Sequence, residues 1–217
     1  MVPTEESDRP PAAWRVGELA DAVLSGPPRL GRTRLVCVDG PSGAGKSSLT
    51  AALATALGEA TGRPVPVVCL DELLDGWDDL PTMWPRVERL VLSPVRAGQP
   101  ACFRAFDWSV GRFRGPTRVV PAAGVLIIEG VGAARARAEA TLTVLVTADP
   151  VTRHARARRR DQPTSHAALR RWWRDEERYL AADGVAQAAD RVIVTDVAVA
   201  PPVGDLLPTI TDVTHHR

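Results

Sequence analysis

Apolar residues fall in two rhythms along the 217 positions of this chain. The first is the short uniform run: Leu35-Val36-Cys37-Val38, Val125-Leu126-Ile127-Ile128, and the stretches 65–70, 142–147 and 191–195. These lack the alternation of a half-exposed strand and predict five strands covered on both faces. The second rhythm is helical. Trp14, Leu19, Val23 and Leu24 predict a helix over 14–24, which Gly26-Pro27-Pro28 ends. Leu49, Leu53 and Leu57 recur every four residues among alanines, with Gly58 as the expected stop. Further helices are expected over 82–97, 151–161 and 165–182. Strands alternating with helices predict an α/β fold: a doubly wound, five-stranded parallel sheet whose ligand groove lies beyond the carboxyl ends of the strands. Length and composition suit one domain over 1–217, with a small helical lid at about 153–175 inside it. Residues 1–11 read as a frayed polar arm. Residues 196–217 are proline-rich and resist assignment, and His215-His216 reads as a solvated tail.

The segment joining the first strand to the Leu49 helix changes the picture most. Gly40-Pro41-Ser42-Gly43-Ala44-Gly45-Lys46-Ser47 is a full G-x-x-x-x-G-K-[ST] phosphate loop, sited between strand and helix as the motif requires. Its glycines let backbone N–H groups turn toward a phosphate, and the helix N-terminus adds the positive end of its dipole. Lys46 is the only lysine; the other 26 of the 27 Lys and Arg residues are arginine. A compact ammonium is retained where a guanidinium fork would not fit. The expected ligand is a nucleoside triphosphate with Mg²⁺, bound by Gly40, Ser42, Gly43, Ala44, Gly45, Lys46, Ser47 and Ser48. Lys46 would reach the β- and γ-phosphates and the Ser47 hydroxyl would ligate the metal.

Other candidates cluster at predicted strand ends. Asp71 follows Val67-Val68-Cys69-Leu70 and could accept a proton from an attacking hydroxyl, or else cap a turn. Glu129 ends Leu126-Ile127-Ile128 and reads as a magnesium-orienting acid, with a salt bridge to a lid arginine as the competing role. Arg153, Arg156 and Arg160 share one helix face at i, i+3 and i+7 and could clamp phosphates; a solvated face or a nucleic-acid patch would use the same residues. In Phe103-Arg104-Ala105-Phe106-Asp107-Trp108, Asp107 could hold a substrate hydroxyl between Phe106 and Trp108, with Trp77 and Trp84 lining the same cavity. For the aromatics alone, core packing is the competing role.

Composition bounds the rest. A net charge of +1 and the lack of a nucleic-acid reader module argue against a nucleic-acid partner. The charge is uneven, with eight arginines between 153 and 174 and an acidic stretch from Asp71 to Asp79. Cys37, Cys69 and Cys102 have no metal-ligand spacing and suit a reducing compartment. No run approaches the roughly 20 apolar residues needed to cross a bilayer, and no signal-peptide pattern opens the chain. A cytoplasmic protein without a membrane partner is expected, its partner a small-molecule acceptor; a homo-oligomer is left open.

Together these motifs resemble the uridine kinase family of P-loop kinases across about residues 34–195. Asp39-Gly40 through Ser47 is similar to the family's phosphate loop, and Asp71 falls where the family has its catalytic aspartate. Phe106-Asp107-Trp108 is similar to its Tyr-Asp-Phe acceptor motif, and Glu129-Gly130 to its Glu-Gly. Asp149, Arg153, Arg156, Arg160 and Asp161 match the segment that enters its lid. The resemblance implies ATP- and magnesium-dependent phosphorylation of a hydroxyl on a nucleoside-like or sugar-like metabolite. The chain departs from the pattern at Gly111, where the family has a histidine that reads the pyrimidine. It departs again after Asp161, where Gln162-Pro163-Thr164-Ser165-His166 and an Arg170-Arg171-Trp172-Trp173-Arg174 helix replace Arg-Gly-Arg-Asp. Two alternatives fit the loop. One is a nucleoside monophosphate kinase, with Arg104, Arg112 and Arg114 gripping the acceptor phosphate. The other is an ATP-binding switch without a small acceptor; the absence of an N-K-x-D motif argues against a GTPase.

Overall fold

A computed structural model describes residues 13–160, 166–195 and 211–212. In chain order the elements are α1 (Ala13–Ser25), β1 (Arg34–Asp39), α2 (Lys46–Thr61), β2 (Val67–Cys69), a 3₁₀ turn (Leu70–Glu72), α3 (Trp84–Val87), a π segment (Glu88–Leu92) and α4 (Ser93–Arg96). There follow β3 (Ala101–Arg104), β4 (Thr117–Val120), β5 (Val125–Glu129), a 3₁₀ segment (Ala133–Glu139), β6 (Ala140–Thr147), α5 (Pro150–Arg160), α6 (His166–Ala182), α7 (Val185–Ala188), β7 (Arg191–Val194) and β8 (Thr211–Asp212).

Five strands form a parallel sheet in the order β2-β5-β1-β6-β7, and β8 adds antiparallel to β7. The two faces of β1 show why its run is uniformly apolar. Val36 and Val38 pack under Val16, Leu19 and Val23 of α1 and Leu49, Leu53 and Leu57 of α2. Leu35 and Cys37 belong to the opposite core, with Leu126, Ile128, Met83, Val87, Trp172 and Tyr179. No water-facing side remains, so no alternation is written into the strand.

Three local expectations are corrected. Helix α2 runs through Gly58 and ends at Thr61, because Gly62 at φ +66° supplies the left-handed cap that Gly58 does not. The expected helix over 82–97 is interrupted by its π turn, just before Pro94 enters the first turn of α4. Proline lacks an N–H and crowds the carbonyl four residues back, and a wider turn relieves both problems. The third correction is an addition: β3 and β4 pair as a separate antiparallel hairpin whose strands the uniform-run criterion passes over. Residues 161–165, which carry the departure after Asp161, and most of the 196–217 stretch lie outside the described residues. Among the described residues no helix is long and apolar enough to cross a membrane.

The register sets the site. Val38 stands beside Glu129, and Glu129 beside Cys69. The loop after β1, the acid ending β5 and the turn after β2 therefore emerge side by side at the carboxyl edge, where chain order reverses about β1.

Candidate active site

The phosphate loop is built from glycine conformations and held by polar contacts. Gly40 (φ +138°) approaches β6 so closely that a Cβ there would lie 1.9 Å from the Val146 carbonyl oxygen. Gly43 (φ +78°) meets the Arg153 carbonyl of α5 in the same way, at 2.1 Å. No side chain fits at either place. Asp39 ends β1 fully buried, and its carboxylate accepts from the N–H groups of Gly40 (2.6 Å), Gly132 (3.2 Å) and Ala134 (2.8 Å) and from the Tyr179 hydroxyl (2.9 Å). Burial pushes the Asp39 pKa up from the usual carboxylate range, and these donors oppose the rise. Lys46 Nζ donates to the carbonyls of Gly40 (2.8 Å) and Pro41 (3.1 Å), which holds the ammonium across the loop.

Backbone donors divide in two. The N–H of Gly40 goes to Asp39, that of Ala44 to Pro41 O, and that of Ser42 to the Glu176 carboxylate (2.9 Å). Among the described residues, the N–H groups of Gly43, Gly45, Lys46, Ser47 and Ser48 have no partner; the first helical bond of α2 is Leu49 N–H to Gly45 O. A run of free donors at a helix N-terminus is an anion site by construction. Ser47 Oγ donates to Glu129 Oε1 at 3.2 Å, so a hydroxyl and a nearly buried carboxylate converge at the mouth of the loop. Both are hard oxygen donors, and the described residues contain no group of three or more His, Cys, Asp or Glu that could hold a metal alone. One or two protein oxygens completed by phosphate oxygens and water is how Mg²⁺ is ordinarily held, so the residues fit that ion.

Asp71 sits in the 3₁₀ turn after β2, at the strand tip next to Glu129. Among the described residues its carboxylate has no hydrogen-bond partner, while its carbonyl accepts from Trp108 Nε1 (3.1 Å). The Phe106 N–H donates to Glu72 O (2.8 Å), so the Phe106-Asp107-Trp108 segment is stitched to the Asp71 turn by two bonds. Trp108 is 40% exposed and packs edge-on against Trp77 and Phe106, each with ring centroids 5.0 Å away. Trp84 takes no part in these ring contacts; it opens α3 and packs on the core. Asp107 uses Oδ1 to accept from the N–H and hydroxyl of Ser109, and the Ser109 hydroxyl holds its pKa below the usual carboxylate range. Between Asp71 and Glu129, burial drives the Cys69 thiol far above its ordinary pKa and keeps it protonated.

Two of the α5 arginines expected to clamp phosphates have protein partners. Arg153 is buried and gives its guanidinium to Glu176 (2.8 Å) and Glu177 (2.8 Å) of α6. Arg156 binds the hydroxyl (2.9 Å) and carbonyl (3.0 Å) of Thr195, whose own hydroxyl donates to Ala44 O (2.7 Å). Arg160 closes α5 and is exposed. Three residues of this network escape motif reasoning: Glu176, Trp172 and Thr195. Trp172 Nε1 lies 2.9 Å from Ser42 Oγ and 3.0 Å from Glu176 Oε2. The sequence held a signal for two of them, since Trp172, Glu176 and Tyr179 fall on one helix face, with an acid between two aromatics.

A parallel sheet of this order, with a glycine-rich loop running from its central strand into a helix, is the α/β fold of the P-loop kinases. Two solved structures share this fold. The chain is similar to a possible uridine kinase from Bacillus stearothermophilus (TM-score 0.59, 18% identity, covering 82% of this chain and 96% of that one). It is similar to D-glycerate 3-kinase from Cryptococcus neoformans var. grubii serotype A (TM-score 0.51, 15% identity, 83% and 95%). A putative fructose transport system kinase from Silicibacter sp. TM1040 aligns at TM-score 0.47 and 22% identity, over 81% and 89%. No protein-family model and no curated protein sequence matches the chain.

Proposed function

We propose that the protein is a kinase that moves the terminal phosphoryl group of ATP, with Mg²⁺, to a hydroxyl of a small nucleoside-like or sugar-like metabolite. The observation that supports this most is the row of unpartnered N–H groups at Gly43, Gly45, Lys46, Ser47 and Ser48. It lies beside the Lys46 ammonium, with the Asp71 carboxylate, which has no hydrogen-bond partner among the described residues, in the turn at the same sheet edge. The N–H groups and Lys46 would hold the β- and γ-phosphates. Ser47 and Glu129 would hold Mg²⁺, whose chemistry is to offset charge on the polyphosphate. Asp71 would take the proton of the acceptor hydroxyl as its oxygen bonds to the γ-phosphorus and the bond to the β–γ bridging oxygen breaks, leaving ADP. The positive face of α5, including Arg156 and Arg160, would offset charge at the rim. Trp108 offers a flat apolar surface for the acceptor, with Asp107 beside it.

The test is a panel of nucleosides, sugars, hydroxy acids and nucleoside monophosphates incubated with ATP and Mg²⁺. Formation of ADP is followed together with a product heavier by about 80 Da, the PO₃ unit that kinases transfer. A phosphorylated alcohol made by the wild type and not by Lys46→Ala supports the reading. Failure of the wild type to bind ATP at all would refute it, and a monophosphate as sole acceptor would move it to a different kinase class.

A further inference from the structure

We infer that Glu176 is a positioning residue: from behind the phosphate loop it holds Ser42 so that the remaining loop donors face a polyphosphate, and Arg153 serves this scaffold rather than the phosphates. This rests on the kinase reading above.

Glu176 lies on α6 with no exposed surface, 134 residues from the loop in sequence. Its two oxygens are fully engaged. Oε2 accepts from the Ser42 N–H (2.9 Å) and the Trp172 indole (3.0 Å), and Oε1 from Arg153 (2.8 Å). Trp172 Nε1 also reaches the Ser42 hydroxyl at 2.9 Å, so side chain and backbone of one loop residue are both fixed by α6. Arg153 contributes twice, by its guanidinium on Glu176 and by its carbonyl against Cα of Gly43. Burial pushes the Glu176 pKa up, while the Ser42 N–H and the charges of Lys46 and Arg153 oppose the rise.

A carboxylate on a phosphate-loop N–H could instead be read as an internal phosphate mimic that nucleotide must displace. The geometry disfavours it. Displacement would break the buried Arg153–Glu176 ion pair and leave the Arg153 guanidinium with Glu177 as its remaining carboxylate partner. It is also unnecessary, because five other donors of the loop and helix start have no partner among the described residues. A loop whose back is tied keeps its front donors aligned before the ligand arrives, which is what preorganised binding requires.

The experiment measures binding of a fluorescent N-methylanthraniloyl derivative of ATP, with Mg²⁺, to the full chain. Wild type and Lys46→Ala come first: binding that Lys46→Ala removes assigns the signal to this loop, and a wild type that does not bind overturns both the kinase reading and this inference. The variants are then Glu176→Gln and the double Arg153→Met/Glu176→Met. The double variant removes both charges together, so its melting temperature is expected to stay near that of the wild type. Its affinity is expected to fall about tenfold or more, because Ser42 loses its acceptor. Glu176→Gln keeps one acceptor oxygen and is expected to lie between the two. With the wild type binding, a double variant that folds and binds within twofold of it overturns the inference alone. Tighter binding by the double variant overturns it in favour of the displaced-mimic reading. Should the double variant not fold, Glu176→Gln decides: unchanged or tighter binding overturns the inference, and a loss of threefold or more supports it.

Discussion

Two glycines with nearly the same backbone conformation give a matched pair of substitutions. Gly43 sits at φ +78° and Gly62 at φ +66°, both in the left-handed region that an L side chain resists. At Gly62 an added Cβ meets nothing within 4 Å, so Gly62→Ala carries the conformational penalty alone, about 1 kcal/mol. At Gly43 the same atom would lie 2.1 Å from the carbonyl oxygen of Arg153 and 2.8 Å from its carbon. Both groups are backbone, so no rotamer relieves the overlap, and the loop and the start of α5 must separate by about 1 Å in a close-packed interior. That displacement pulls Arg153 from Glu176, and breaking a buried pair costs about 3–5 kcal/mol. Gly43→Ala is therefore expected to destabilise by about 4 kcal/mol or more, which for a chain of this size is about 8–16 °C in Tm against about 2–4 °C for Gly62→Ala. Urea titrations followed by tryptophan fluorescence, six tryptophans being present, measure both on one scale. Equal destabilisation of the two variants would refute the packing of α5 against the loop.

Four further outcomes are expected. Lys46→Ala abolishes phosphoryl transfer in the coupled ADP assay. Asp71→Asn lowers turnover by about 10²–10⁴, the usual worth of a general base, while binding of the fluorescent ATP derivative stays within about twofold; near-normal turnover removes Asp71 from the base role. Glu129→Gln raises the Mg²⁺ concentration needed for half-maximal ATP turnover about tenfold or more in a magnesium titration, and an unchanged midpoint would leave Glu129 without a metal role. Tyr179→Phe removes a donor from Asp39 and costs about 1–3 kcal/mol at neutral pH. Asp39 already titrates above the usual carboxylate range, so its contribution to stability is full below that range and is lost as pH rises through its raised value. The variant raises that value further, and the gap from wild type in urea titrations should therefore widen from acidic to neutral pH; a gap independent of pH would contradict the sign.

How much of this was legible in the chain depended on whether a contact is local. The strands β1, β5 and β6 could be read because helices cover both of their faces and every residue had to be apolar. The phosphate loop could be read because its geometry is written in eight consecutive residues. The β3–β4 hairpin could not, since Ala101-Cys102-Phe103-Arg104 and Thr117-Arg118-Val119-Val120 are short and joined by a long loop instead of a tight turn. Gly58 misleads because a glycine inside a helix costs only about 1 kcal/mol and need not end it; a Cβ there would meet only the Arg63 carbonyl oxygen, in ordinary contact at 3.5 Å. The arginine spacing of α5 did not reveal the protein partners of Arg153 and Arg156. Helical spacing says which residues point together; it says nothing of what stands opposite, and here that is Glu176, Glu177 and Thr195.

A backbone hydrogen-bond account explains why those partners are needed. A loop that turns a series of N–H groups toward a phosphate must leave other groups facing the protein, and each of those must find a partner or cost free energy. In this chain the outward-facing set is satisfied by side chains: Gly40 N–H by Asp39, Ser42 N–H by Glu176, Ala44 carbonyl by Thr195. Two of these supports are carboxylates pushed toward protonation by burial, and each is returned toward the charged form by donors from a distant element, Tyr179 for Asp39 and Arg153 for Glu176. Tyr179 and Glu176 both stand on α6, and Arg153 on α5. α5 and α6 thus complete the back of the loop. Movement of α5 or α6 during turnover must then keep these contacts or let the loop lose its shape, which predicts that the stretches carrying Arg153, Glu176 and Tyr179 stay rigid.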